Sequence, residues 1–443
     1  MTDRVLRWRI AGLVLPALAQ QYLLLAIQHW DQYLGWPFGE EHKAALTTAN
    51  YLYWLASCYS VLVAAGATAL VGRSVGAGDR ATANRAVGQS ILLAVVLGAF
   101  ATLGALLLLP TLMSILGLSG AAPAIAVEYL QPLAAVLVLQ MVETAGIACL
   151  VGAGDTRTGL AVLAGVAFVN IPLAYGLSRG FGPLPNLGFV GIAWGTALSH
   201  ALGGLFVFGL LLRGRSGLKI TMQDLFPDPA ILRRLLRVSV PSALDSLSGG
   251  LCQLWFLRIV NHLGNAAAAA HGIALRWEAF GYLAGAGFGT AASSLISQNL
   301  GAKEPQRAAR AVTLTLLAGT VMMSVVGVLF FVLARPMCEQ YTRPDEAAVV
   351  ENGVLALRTV AFAMPALAAV MILTSALRGA GDARVPMLFT WFGFLAVRIP
   401  LAYLLTPSLG LLGAWLAMLA DLWLRGLLFL ARFASGRWKT IRV

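Results

Sequence analysis

The chain has 443 residues, of which 59% are hydrophobic and 11% charged, with a formal net charge of +12. Soluble domains carry about 25% charged residues, so this composition excludes an ordinary globular protein and points to one dissolved in lipid. The basic excess does not call for a nucleic acid, because arginine and lysine crowd alternate loops rather than one face.

Charge-free runs such as 90–109 and 312–333 match the roughly 20 residues that cross a bilayer as a helix. Taken in chain order, such runs predict about twelve membrane helices, near 10–34, 45–71, 86–109, 124–151, 157–178, 188–212, 237–262, 266–298, 310–334, 350–377, 385–405 and 410–434. The first is too long for a signal peptide and lacks a small-residue cleavage site, so it counts as a helix. Basic residues gather before it, at 73–85, 157, 213–237, 303–310, 378–384 and 432–442, while the intervening loops hold only Lys43, Arg179, Arg335 and Arg343. That asymmetry places both termini in the cytoplasm, and we expect a multi-pass protein of the cell (inner) membrane. Cys58, Cys149, Cys252 and Cys338 are scattered and suggest neither a disulfide framework nor a metal site.

The phrase Gly-Ala-Gly-Asp-x-Arg occurs twice, at 152–157 and 379–384. Neither copy has the third glycine of a dinucleotide loop or the lysine of an ATP loop, so neither binds nucleotide. Other phrases recur at nearly the same separation. Pro16 is matched by Pro241, SVGAGDRATANRAV at 74–87 by NLGAKEPQRAARAV at 299–312, NIPLAY at 170–175 by RIPLAY at 398–403, and Gly191 by Gly413. Four matches in one order indicate an internal duplication. We expect an N-lobe of six helices at 1–212, a polar cytoplasmic linker at 213–236 and a C-lobe of six helices at 237–443. An even helix count makes the halves parallel repeats about an axis along the membrane normal. Within each repeated phrase, Gly154 or Gly381 can take the left-handed turn that ends a helix, and Asp155 or Asp382 can cap the next one.

With these phrases on view, together with the run GIALRWEAFGYLAGAGFGTAASSLISQNLGAK at 272–303, the chain resembles the multidrug and toxic compound extrusion (MATE) family. The likeness covers nearly the whole sequence. It implies an all-α polytopic fold with two pseudo-symmetric six-helix lobes around a central cavity, and export of organic, often cationic, compounds in exchange for H⁺ or Na⁺. It implies no enzyme activity and no cofactor, and we expect a monomer working in the lipid bilayer.

Ionisable side chains within the bilayer are costly and therefore the first functional candidates. Asp31, in the phrase HWDQYLG, falls where the resemblance places an N-lobe cation-coupling carboxylate. Its other reading is an aspartate solvated at the outer interface. Asn170 and Ala174 share a face of the fifth helix. The family commonly has an acid at the second of these positions, and its replacement by Ala174 puts a multi-ligand Na⁺ site in doubt. Glu143, near mid-membrane, could line the cavity. Asp245 lies on a polar stripe with Ser242, Ser246, Gly249 and Gln253. Glu278, with Tyr282 and Trp277, could face an organic cation. Arg398, the repeat counterpart of Asn170, needs a buried acid; Asp245 is the first candidate for that ion pair and Glu278 the second. Asp421 and Arg425, four apart, can pair with each other. Arg258 is read as a second deep base. A lipid-linked oligosaccharide flippase of the same superfamily is the alternative function, and a channel a more distant one.

Overall fold

In lipid no water is available to the backbone, so each apolar run must satisfy its own N–H and C=O groups, and the chain winds into long helices. The computed structural model describes residues 3–115 and 120–441. In the first repeat they form α1 (Asp3–Gly35), α2 (Glu40–Gly76), α3 (Arg80–Ile115), α4 (Ala122–Ala135), α5 (Leu137–Gly152), α6 (Thr156–Arg179) and α7 (Gly188–Arg213). In the second they form α8 (Pro229–Asn261), α9 (Asn265–Gly301), α10 (Pro305–Val332), a short α11 (Ala334–Glu339), α12 (Ala347–Gly379), α13 (Arg384–Phe392), α14 (Ile399–Leu409) and α15 (Leu411–Ala434). Packing divides the chain into two compact units. Leu15–Ser239 forms one, which we call the N-unit. The described residues through Val14 and those from Val240 onward form the other, the C-unit.

Among the described residues, nine helices are long and apolar enough to cross a membrane, and α4 with α5 make a tenth, bent by 52°. α8 and α9 complete the six-per-repeat pattern and fall short of that test through their polar load. α8 carries Ser242, Asp245, Ser246, Ser248 and Gln253, and α9 is interrupted by glycines and serines.

Three local features differ from the sequence reading. The span expected at 124–151 is broken at Val136. The helix expected from 237 starts at Pro229, because Asp228 Oδ1 accepts the N–H groups of Ala230 (3.0 Å) and Ile231 (3.3 Å). The span at 385–405 contains a π-helical turn, Gly393–Arg398, between α13 and α14. Pro400 has no N–H for the carbonyl of Ala396, and widening the turn accommodates that loss. Preceding α8, the end of the stretch 215–228 is held by the buried side chain of Gln89. Gln89 donates to the carbonyls of Asp224 (2.8 Å) and Phe226 (2.7 Å) and accepts the N–H of Asp228 (2.9 Å).

The repeat is visible bond by bond at the helix ends. α2, α5, α9 and α12 all close with the same pair of backbone hydrogen bonds. Asp79, Asp155, Glu304 and Asp382 donate back to Ser74 (3.0 Å), Leu150 (2.8 Å), Asn299 (2.8 Å) and Leu377 (2.8 Å), respectively. Gly154 (φ 85°) and Gly381 (φ 89°) supply the left-handed residue in the two Gly-Ala-Gly-Asp turns. Their aspartates then diverge. Asp155 caps α6, accepting from Thr158 N at 2.9 Å, as expected. Asp382 does not cap α13; its Oδ2 accepts from Arg432 Nε at 2.8 Å, a charge-assisted bond that outcompetes a backbone one.

Burial acts to raise the Asp155 carboxyl, but hydrogen bonds from Ser216 and Thr158 and the Arg215 guanidinium outweigh it and hold the group below the usual carboxylate value. A depressed carboxyl stabilises the fold above its unfolded pKa of about 3.9, and that stability is lost as pH falls through the lower folded value. Asp155→Ala is expected to cost about 0.5–2 kcal/mol at neutral pH, and the difference from wild type should narrow in acid. Thermal unfolding in detergent across this range checks it.

Helices cross closely at matched glycines. A Cβ on Gly152 would stand 2.9 Å from the Thr68 carbonyl oxygen, and one on its counterpart Gly379 would stand 2.6 Å from that of Ser293. Gly152→Val and Gly379→Val should therefore each destabilise by about 1–3 kcal/mol, in different units but by similar amounts. Melting curves that move for one and not the other would contradict the structural repeat.

Candidate functional site

Asp31 lies one turn before the end of α1 and is 8% exposed, so it is buried rather than solvated at an interface. It is met by α7. The Thr196 hydroxyl donates to Asp31 Oδ2 at 2.7 Å and accepts from Asn170 Nδ2 at 2.9 Å. Trp30 adds a tie between α1 and α6, donating from Nε1 to the carbonyl of Ile171 at 3.2 Å. Ala174, one turn beyond Asn170 and fully buried, contributes no oxygen and allows α6 to touch α7 at Gly195. Asp31 Oδ1 and Asn170 Oδ1 are buried without a hydrogen-bond partner among the described residues. Unsatisfied acceptors at such depth are uncommon.

A second polar group lies further along α7. His200, one turn from Thr196, places Nδ1 2.8 Å from Glu143 Oε2 on α5, and both residues are buried. Gly203 gives the carboxylate room, since a Cβ there would come within 3.0 Å of Glu143 Oε1. Nearby, Gln140 Nε2 donates to Tyr53 Oη at 2.8 Å. Glu143, read from sequence as a cavity acid, is thus tied to an imidazole. Thr196 and His200 were not singled out in the sequence. Their signal was available as polar residues four apart in the charge-free stretch 188–212.

In the C-unit the expected Arg398–Asp245 pair does not form. Arg398 Nε donates to Asp421 Oδ2 at 3.0 Å and its Nη1 to Gln253 Oε1 at 3.0 Å. Arg425 clamps the same carboxylate from the other side, with Nε to Oδ1 and Nη2 to Oδ2, both at 2.7 Å. The Phe394 ring lies against both guanidiniums, 4.6 Å from that of Arg398 and 4.7 Å from that of Arg425. The π turn brings Phe394 and Arg398 to this point, and Gly393 leaves the space that Asp421 Oδ1 and Arg425 occupy. Asp245 instead accepts from Arg378 Nη2, and its Oδ1 has no hydrogen-bond partner among the described residues. Both replacements follow from reach. Asp421 sits on α15, which packs along the π turn, while Arg378 at the end of α12 meets the inner part of α8.

The aromatic setting expected around Glu278 is only partly assembled. Trp277 is committed to packing: Nε1 donates to the Met337 carbonyl at 3.1 Å, and the ring stacks on Phe280 with centroids 5.7 Å apart. Tyr282 is 54% exposed. Glu278 is half-buried on α9. Arg258, expected to lie deep, is exposed in the last turn of α8.

Paired units of long apolar helices with carboxylates buried among them define a polytopic membrane transporter rather than an enzyme. The MatE family model matches residues 16–176 and again 241–404, the two stretches opening on the paired prolines. The chain belongs to the MatE family. It is 26% identical over 438 residues to the probable multidrug resistance protein NorM of Thermotoga maritima, covering 98% of this chain and 93% of that one. It is also 26% identical over 337 residues to the FAD transporter of Shewanella oneidensis, covering 75% and 74%. Among solved structures, the crystal structure of MATE in complex with MaL6 superposes with a TM-score of 0.89 at 22% identity, covering 97% of this chain and 96% of that one.

Proposed function

We propose that the protein is a secondary antiporter that exports organic cations in exchange for protons by alternating access. The observation that carries this reading is Asp31, a buried carboxylate held through Thr196 beside Asn170 with one oxygen vacant. Hard metal ions such as Na⁺ want several oxygen ligands, as the oxygen cages of Ca²⁺ illustrate, whereas a proton needs one. With Ala174 in place of a second acid, the group suits a proton better. Both termini are cytoplasmic in this reading, following the loop charges, and the protein acts as a monomer in an inner membrane. The N-lobe, linker and C-lobe at 1–212, 213–236 and 237–443 are its working parts.

The cargo class follows from what the deep charges are doing. Arg398 and Arg425 are spent on Asp421, Gln253 and the Phe394 ring, which disfavours the pyrophosphate of a lipid-linked oligosaccharide. Glu278, on the polar face of α9, is the substrate-facing acid, with Tyr282 and Trp277 beside it in sequence, while Asp245 on α8 is engaged by Arg378. Efflux of ethidium in inverted vesicles, driven by an imposed pH gradient and compared with an imposed Na⁺ gradient at constant pH, decides the ion. Uphill movement under the pH gradient is expected; movement under Na⁺ alone would overturn the proton assignment, and merely downhill movement under both would indicate a channel.

A further inference from the structure

Among the described residues of the N-unit, the buried acids and bases, phenols and thiols aside, are three: Asp31, Glu143 and His200. They are presented by α1, α5 and α7, and α7 links them, with Thr196 bonded to Asp31 and His200, one turn on, bonded to Glu143. The surrounding helices add no further charge at this depth. α2 brings Tyr53, α4 brings the buried Tyr129, and α6 brings Asn170, which does not titrate. α3 has Arg80 and Arg85 as its only ionisable residues, both within its first two turns.

Charge counting in a buried site then becomes informative, because net charge inside a membrane protein is costly. Two carboxylates and one imidazole are electroneutral when they hold two protons in total. One proton suits Asp31, whose Oδ1 is vacant. The other belongs to the Glu143–His200 contact, as imidazolium against carboxylate or as carboxylic acid against imidazole. Glu143 Oε1, buried and without a hydrogen-bond partner among the described residues, is a vacant acceptor of the same kind. A purely structural His–carboxylate tie has no use for an orphaned oxygen beside a glycine.

We propose that Glu143 and His200 form a second proton-exchange site, so that the N-unit carries two protons per transport cycle rather than one. The proposal rests on the antiport reading above. Its consequence is electrical. One proton against one monovalent cation moves no net charge, whereas two protons against one cation move one. Transport then responds to membrane potential as well as to pH, and each pH unit supports about a hundredfold cation gradient in place of about tenfold.

The experiment uses the full-length protein in liposomes, with potential clamped by valinomycin and potassium and with ethidium as the monovalent probe. For wild type, the logarithm of the limiting ethidium gradient should rise with slope near two against the pH difference, and potential alone should drive uptake. Glu143→Gln should keep pH-driven transport with a slope near one and lose its response to potential. His200→Gln should keep slope two, because Glu143 then carries the proton alone. A wild-type slope of one, or an unchanged slope in Glu143→Gln, overturns the second site while leaving the antiporter intact. An infrared arm does not depend on transport. The His200→Gln protein in detergent should show one more carboxylic-acid carbonyl band than wild type or the same band shifted, absent when Glu143→Gln is added. If the double variant leaves the spectrum unchanged, Glu143 holds no proton and the proposal fails, whether or not ethidium is transported.

Discussion

Asp31→Asn is expected to abolish pH-driven efflux while leaving the protein folded. The amide is nearly isosteric, and its oxygen can still accept the Thr196 hydroxyl that now bonds Asp31 Oδ2 at 2.7 Å. What disappears is the group that gains and loses charge. The size of the effect follows from the driving force. One proton crossing 100 mV releases about 2.3 kcal/mol, and one pH unit adds about 1.4 kcal/mol. Together these sustain a several-hundred-fold gradient of a neutral cargo, and the pH part alone about tenfold for a monovalent cation exchanged one for one. The Glu143–His200 proton moves only in a cycle that Asp31 drives, so ethidium accumulation in Asp31→Asn vesicles should match that of vesicles without the protein. Thr196→Val is the complementary change. It keeps the carboxylate but strands both Asp31 and Asn170, so it should cost about 1–3 kcal/mol of stability and slow efflux without removing its pH dependence. Normal accumulation by Asp31→Asn would remove Asp31 from the coupling step.

The fold was legible because its causes are local. Lipid demands helices of a fixed length, and the duplication printed each helix end twice, so the glycines at 152, 154, 379 and 381 could be read for both halves at once. The first ionisable candidate, Asp31, was legible for the same reason, since an acid in an apolar run stands out. Its partners were less so. Thr196 and His200 are unremarkable singly, and their pairing with Asp31 and Glu143 depends on how α7 is rotated against α1 and α5. Packing sets that rotation, and no short motif encodes it. The Arg398 pairing failed for a related reason. Repeat logic predicted that α8, the mate of α1, would supply the acid, as α1 supplies Asp31 beside Asn170. The π turn at 393–398 has no counterpart in α6, and it turns Arg398 toward α15 instead.

That rearrangement yields the largest expected effect on stability. Asp421 is fully buried between two arginines, so the three groups sum to one positive charge. Asp421→Asn leaves two guanidiniums against the same Phe394 ring with no counter-charge, and should destabilise by about 3–5 kcal/mol, the range for breaking a buried pair from one side. Arg398→Met is the instructive contrast. It leaves Asp421 held bidentately by Arg425, a neutral pair, and gives up one bond to Asp421 and one to Gln253 with the stacking on Phe394 and Phe256. Since a methionine fills much of that apolar space, the cost should stay near 1–2 kcal/mol. Combining the two substitutions should recover part of the Asp421→Asn loss, because a single unpaired guanidinium replaces two that repel each other. Adding Asp245→Asn to Arg398→Met should recover nothing, as Asp245 answers to Arg378. Thermal unfolding of the four proteins in one detergent separates these cases. If Arg398→Met were as damaging as Asp421→Asn, the positive charge of Arg398 itself would be required, and the site would have to bind something negative in addition to Asp421.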